Sequence, residues 1–216
     1  LKNNLIENKL NIISINDSLT LAYEEEFKNN INTNLFIFLF KKINFLKIKN
    51  FEKKNYLNFS LCQVVSKIDS NRLLELNKKN NLSVHNIGVD IENFFNNKVS
   101  SQNYNLLIVG NLIGGNLLYT INFIKNVLLK TSFYKSFKLT IISRTYPSEI
   151  LKYTNKINIK VEQEVEDLTV HYKKCDIVIS PVRKKCGMQN KVLEGMSMNK
   201  CVFGYSNSFL GFEKAK

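Results

Sequence analysis

At 216 residues and 44% hydrophobic, the chain can bury a sizeable core and has room for one or two domains. Its formal net charge of +13 would suggest nucleic acid, but the charge is nearly all scattered lysine, with arginine only at Arg72, Arg144 and Arg183. No dense basic stripe or binding motif is present, so no nucleic-acid partner is expected; a general attraction to anionic membrane surfaces fits better. Cys62, Cys175, Cys186 and Cys201 form no Cys-x-x-Cys pair, and three of them lie in or beside apolar runs, as reduced cysteines do in a cytoplasmic protein. His85 and His171 lack ligand spacing, so no metal is expected. The longest apolar run, 35–40, is far short of the ~20 residues a membrane-spanning helix needs.

In chain order, Lys9 to Ile15 reads as a strand, and Asp17 with Ser18 can cap a helix through Leu19 to Phe27. Asn34 to Phe59 reads as a helix with apolar residues on one side and lysines on the other, a pattern of packing rather than of membrane contact. Leu61 to Val65 is a strand, Ser66 to Leu76 a helix and Leu82 to Asn86 a strand. The turn at Gly88 to Asp90 and the polar stretch to Asn103 read as a linker, dividing the chain into domains 1–95 and 96–216. Strands and helices then alternate: strand Asn105–Gly110, helix Asn116–Lys130, strand Lys138–Ser143, a turn and short helix from Pro147, and strand Lys156–Val161. Helix Asp167–Lys174, strand Asp176–Ser180, helix 189–199 and strand 201–204 complete the run. Such alternation predicts an α/β fold whose parallel sheet is covered on both faces, with ligands outside the carboxyl ends of the strands. The chain opens on leucine and stops soon after a strand, and reads as a piece of a longer one.

The segment Pro181 to Met196 carries the chemistry. A basic loop with Arg183, Lys184, Lys185 and one glycine, Gly187, leads into a helix bearing Lys191 and Glu194 on one face. A lysine at a helix start, beyond the end of a parallel strand, suits a diphosphate, and an acid one turn on can accept hydrogen bonds from ribose. Arg183 and Lys184 are either donor contacts or solvated loop charges, and Asn111 and Asn116 either cleft-lining or turn residues. Asp17 reads as a helix cap rather than an acceptor-site acid.

Taken in order, the pieces resemble GT-B glycosyltransferases of the family 4 group, especially bacterial sugar transferases of polysaccharide biosynthesis. Gln63 to Ser66 with Asp69, then Asn86 to Asp90 with Phe94, are similar to the close of the N-terminal domain in that family. Leu107 to Asn111 with Asn116, Val165 to Leu168, Asp176 to Pro181, and Gly187 to Glu194 follow the donor-binding domain. The resemblance implies two Rossmann-like domains with parallel sheets: the second half of an acceptor-side domain, incomplete at its start, and a truncated donor domain. It implies that Lys191 neutralises the donor diphosphate, Glu194 holds the ribose, and Gly187 lets the backbone approach the phosphates. Gln189, Asn190 and Arg183 become donor contacts, Gly110, Asn111 and Asn116 line the cleft, and the backbone at Val165 faces the nucleobase.

The activity implied is metal-independent transfer of a sugar, with retention, from a nucleotide-diphosphate donor to a glycan or lipid-linked acceptor. No cofactor is expected beyond that donor substrate. The setting implied is polysaccharide or cell-envelope biosynthesis, in the cytoplasm or peripherally on the inner face of the cell membrane. The alternative is a non-catalytic module of the same fold that binds a nucleotide sugar or glycan. The chain departs from the family pattern at Cys186, where many relatives carry a glutamate eight positions before Glu194, and at Gln163, where glycine is usual. Ile87 replaces an asparagine, and Ser143 with Arg144 replaces a valine–glycine pair.

Overall fold

A computed structural model describes residues 10–28, 34–89 and 104–212. The chain forms two compact units, one of Leu1–Ile87, Lys184–Met188 and Leu210–Lys216, the other of Gly88–Arg183 and Gln189–Phe209. The polar stretch 90–103, including the expected boundary at 95/96 and Phe94, lies outside the described residues.

In the first unit β1 (Ile12–Ile15), β2 (Leu61–Val64) and β3 (Leu82–Val84) form a parallel sheet in that order. Parallel neighbours need crossovers, supplied by α1 (Leu19–Lys28) and α2 (Leu35–Asn55) between β1 and β2, and by α3 (Lys67–Leu76) between β2 and β3. The core is Ile15, Tyr56, Cys62, Val64, Leu73 and Leu76. Of the apolar residues of α2 expected to pack, only some do so among the described residues. Phe36 is 82% exposed and Phe40 65%, and Leu35, Leu39, Ile43 and Leu46 are exposed as well. The inward face carries half-buried Phe38, Phe45 and Ile48 and the fully buried Glu52. Glu52 explains the orientation: its carboxylate accepts from Leu19 N–H at 2.7 Å, Thr20 N–H at 3.0 Å and the Ser18 hydroxyl at 3.1 Å. They include orphan donors at the start of α1, and they hold the face of α2 that carries Glu52 inward. The α1 cap is therefore Ser18 with Glu52, and the expected cap Asp17 faces elsewhere.

In the second unit β4 (Tyr104–Val109), β5 (Phe137–Ile142), β6 (Asn158–Glu162), β7 (Ile177–Ser180) and β8 (Cys201–Gly204) form one parallel sheet in the order β6-β5-β4-β7-β8. Strand alternation sends Leu106, Ile108, Leu139 and Ile141 to one face, where Phe123 and Ile124 of α4 (Gly114–Asn126) meet them. Leu107, Ile142 and Val178 go to the other face, with Tyr172 and Cys175 at α5 (Leu168–Lys174) and Met198 after α6 (Asn190–Ser197). The connections run β4 to β5 to β6 and then return across β4 to β7. The carboxyl ends of β4 and β7 therefore flank the point where strand order reverses, the place in such sheets where a ligand crevice opens.

Candidate functional site

The reversal point holds several of the expected residues. Gly110 follows β4 with a φ of +149°, and a Cβ there would stand 3.5 Å from both Cε and Nζ of Lys191. The Lys191 ammonium thus lies over the carboxyl end of β4. Gly110, Asn116, Pro181, Val182 and Lys191 help line a cavity of about 10 Å³, room for roughly one water. Lys191 Nζ donates to Gln189 Oε1 at 3.3 Å, and Gln189 is buried immediately before α6. Asn190, the first residue of α6, is exposed.

One turn on, Glu194 Oε2 accepts from the Tyr172 hydroxyl at 2.5 Å. Tyr172 is fully buried on α5. Burial first, and then the Glu194 carboxylate, push its phenol far above the ordinary range, so it stays protonated and donates. The helix carrying Lys191 and Glu194 is seated through Gly195, where a Cβ would come within 3.0 Å of Val178 Cγ2 and Val202 Cγ2. No larger residue lets α6 lie this close to β7 and β8 without movement.

The loop after β4 is tied to the loop after β5 and to the start of α4. Leu112 N–H donates to Ser143 Oγ at 3.0 Å, Thr145 Oγ1 to Asn111 Oδ1 at 3.1 Å, and Asn116 Nδ2 to the Asn111 carbonyl at 3.3 Å. Asn111 and Asn116 thus act as turn residues, and Asn116 also lines the cavity beside Gly110. Val165 packs half-buried against the core around Tyr172, after Glu164, which has a left-handed φ of +46°. Asp167 caps α5 through Thr169, and those hydrogen bonds lower its pKa. Arg183 Nη2 donates to the Tyr205 hydroxyl at 2.7 Å, and its guanidinium lies 4.2 Å from the centre of that ring.

Gly187 belongs to the first unit. Its N–H donates to Asp69 Oδ2 at 2.9 Å, its φ is +65°, and a Cβ would stand 1.8 Å from Asp17 Oδ1. Asp17 Oδ2 accepts from Lys184 Nζ at 2.9 Å. Here the glycine backbone approaches two carboxylates of the chain itself. Burial pushes the Cys186 thiol up to about 12, with Asp17 and Asp69 adding to the rise and Lys184 opposing it. Burial alone would depress the Lys184 ammonium, but Cys186 and Asp17 outweigh it, and its pKa is raised.

The motif reading thus missed Tyr172 and Tyr205, while it took Asp17 for a helix cap and gave Asp69 only as part of the resemblance. Tyr172 and Tyr205 have no local signal. Asp69 has one, since an acid three residues after Ser66 at a helix start is a capping arrangement.

Residues 103–208 match the sequence profile of a family described as Glycosyl transferases group 1. No curated protein matches the chain. Among solved structures, the chain is similar to WaaG, a glycosyltransferase involved in lipopolysaccharide biosynthesis (TM-score 0.65, 10% identity, 96% of this chain and 59% of that one). It is similar to HepE of Anabaena in complex with UDP-glucose (TM-score 0.60, 14% identity, 89% and 52%). It is also similar to S. aureus TarM in complex with Fondaparinux, alpha-GlcNAc-glycerol and UDP (TM-score 0.60, 12% identity, 74% and 32%). The chain therefore spans about a third to three fifths of the length of these proteins. At such identities the likeness is one of fold, the GT-B arrangement of parallel α/β sheets. Among the described residues no helix is long and apolar enough to cross a membrane.

Proposed function

We propose that the protein transfers a sugar from a nucleotide-diphosphate donor to a glycan or lipid-linked acceptor, with retention and without a metal or other cofactor. The observation that carries this reading is the Lys191 ammonium over Gly110 at the reversal point of the second sheet. Glu194 stands one turn further, held by Tyr172. A diphosphate at the carboxyl end of β4 would meet Lys191 and the start of α6, where the helix dipole favours negative charge. As the bond from the anomeric carbon to phosphate breaks, charge grows on the departing diphosphate. A fixed ammonium stabilises that charge more than it stabilises the bound donor, and this difference is what accelerates the reaction. Glu194, oriented by the Tyr172 hydroxyl, would accept from the ribose. Gln189, Asn190 and Arg183 are proposed to contact the donor, Gly110, Asn111 and Asn116 to line the cleft, and the Val165 backbone to face the base. Gly187 would serve the phosphates only after parting from Asp69.

The reading extends to polysaccharide or cell-envelope biosynthesis, in the cytoplasm or on the inner face of the membrane. The exposed Phe36, Phe40 and Ile43 of α2, with Lys42, Lys47 and Lys49 exposed on the same helix, support a peripheral seat on an anionic bilayer.

Calorimetry with UDP and GDP on wild type and Lys191→Ala tests the proposal. Loss of a charge-assisted hydrogen bond worth ~1.5–3 kcal/mol weakens binding about ten- to a hundredfold. Unchanged affinity removes Lys191 from the site. Binding without turnover by the full-length enzyme supports the non-catalytic module instead.

A further inference from the structure

An acid at the third position of a helix ordinarily reaches back to the backbone N–H of the cap residue. Asp69, three residues after the cap Ser66, does something else. Its carboxylate is fully buried. Oδ1 accepts from Ser18 N–H at 2.7 Å, while Oδ2 accepts from the Ser66 hydroxyl and from Gly187 N–H at 2.9 Å. A buried carboxylate has to be met by several donors, and two of these come from backbone 51 and 118 residues away along the chain. One is the residue after Asp17, and the other is the glycine of the Lys184–Met188 segment. Asp17 closes on the same segment through Lys184 at 2.9 Å, and its Oδ1 fills the space that a side chain at 187 would need. The segment is thus held at its lysine, at its glycine N–H and against the open side of that glycine. A solvated surface loop has none of these ties.

We propose that Asp69 is a positioning residue for the transfer reaction. Through the Gly187 N–H it fixes the conformation of Lys184–Met188, the segment from which Gln189, Asn190 and Lys191 follow directly. The inference rests on the reading that Lys191 grips the donor diphosphate. Asp69 itself touches neither donor nor acceptor. Its effect on the reaction is through placement, and a misplacement of about 1 Å can cost up to ~100-fold in rate.

Two variants separate placement from simple stability. Ser66→Ala removes the α3 cap and one hydrogen bond to Asp69, but leaves Gly187 N–H on the carboxylate. Asp69→Asn replaces one carboxylate oxygen by an NH2 group that faces a backbone N–H, donor against donor. Amide hydrogen exchange across 184–188 needs no nucleotide. It is expected to accelerate about tenfold or more in Asp69→Asn and to stay at the wild-type rate in Ser66→Ala. Calorimetry with UDP and GDP should then show about ten- to a hundredfold weaker binding in Asp69→Asn only, although both variants melt at lower temperature. Should Asp69→Asn not fold, Gly187→Ala displaces the same segment from the other side and carries the same expectation. Exchange that does not respond in either variant overturns the clamp. Exchange that responds while nucleotide affinity falls equally in Ser66→Ala, or in neither variant, leaves Asp69 a structural residue and overturns the positioning role. A wild-type protein that binds neither nucleotide, with exchange responding as expected, refutes the donor reading and the positioning role with it, while the clamp stands.

Discussion

Replacing Tyr172 by phenylalanine removes a single hydroxyl from the candidate site and little else. The ring is fully buried, and phenylalanine refills it without a cavity, so packing losses are small. What disappears is the O–H donated to Glu194 Oε2 at 2.5 Å, short enough to be charge-assisted. Such bonds are worth ~1.5–3 kcal/mol, of which solvent returns a part, because Glu194 is only half-buried. A stability loss of about 1 kcal/mol is expected. The functional effect is more specific. With Tyr172 in place the carboxylate is held in one orientation, toward a ribose on the proposed reading; without it, the carboxylate rotates and hydrates. The preference for UDP over 2′-deoxy-UDP should therefore fall about tenfold, equivalent to ~1.4 kcal/mol. Affinity for the deoxynucleotide should change little, since the lysine proposed to meet the diphosphate is untouched. Calorimetry with both nucleotides reads the two quantities separately. A variant that keeps the wild-type ratio refutes the link between Tyr172 and ribose recognition. One that weakens both nucleotides equally shows that the tyrosine acts on the whole site rather than on Glu194.

Glu52→Ala leaves two backbone N–H groups and the Ser18 hydroxyl at the start of α1 without their carboxylate, and should cost about 3 kcal/mol in urea unfolding of the first unit; a loss below about 1 kcal/mol contradicts the cap. Among the cysteines Cys201 is exposed and Cys62, Cys175 and Cys186 are buried, so a thiol reagent on the native protein should titrate Cys201 quickly and the others only on unfolding. Rapid reaction of a second thiol refutes that burial. Burial pushes Cys175 up to about 11 and Cys186 to about 12, from an ordinary 9.0. Above pH 9 the unfolded chain releases these protons while the folded chain keeps them, so stability falls as pH rises toward 12. Lys184, also raised, acts in the same direction above its ordinary 10.5. Melting temperatures that stay level from pH 8 to pH 11 would contradict the assignment.

The second sheet was legible because its inner strands, such as Leu106 to Val109 and Ile177 to Ser180, are apolar at successive positions. Burial on both faces demands that pattern, and glycine or serine marks their ends. The helix at 35–55 was legible as a helix but not in its orientation. From Leu35 to Phe40 every residue is apolar, so those turns have no apolar face distinct from a polar one. The deciding group is Glu52, a charged residue whose burial is intelligible only once the N-terminus of α1 stands beside it. Periodicity ranks side chains by hydrophobicity, and so reads a buried carboxylate as the mark of the outside.

The same limit governs the site. Lys191 and Glu194 were readable together because a helix fixes residues three apart on one face. Tyr172, which orients Glu194, comes from the preceding helix and leaves no trace in local spacing. Gly187 is more instructive. A glycine in a basic loop says that something approaches the backbone closely, and the sequence alone favoured a phosphate. In the folded chain the approaching group is the Asp17 carboxylate, with Asp69 on the N–H. Carboxylate and phosphate make the same demands of a glycine: no Cβ, a free N–H and positive charge nearby. The motif therefore encodes an anion-facing backbone without naming the anion. A phosphate that is to meet the Gly187 N–H has to displace Asp69 first. The Lys191 ammonium already stands over Gly110 at the reversal point of the second sheet, and on the proposed reading it is Lys191, rather than the glycine, on which donor binding should turn.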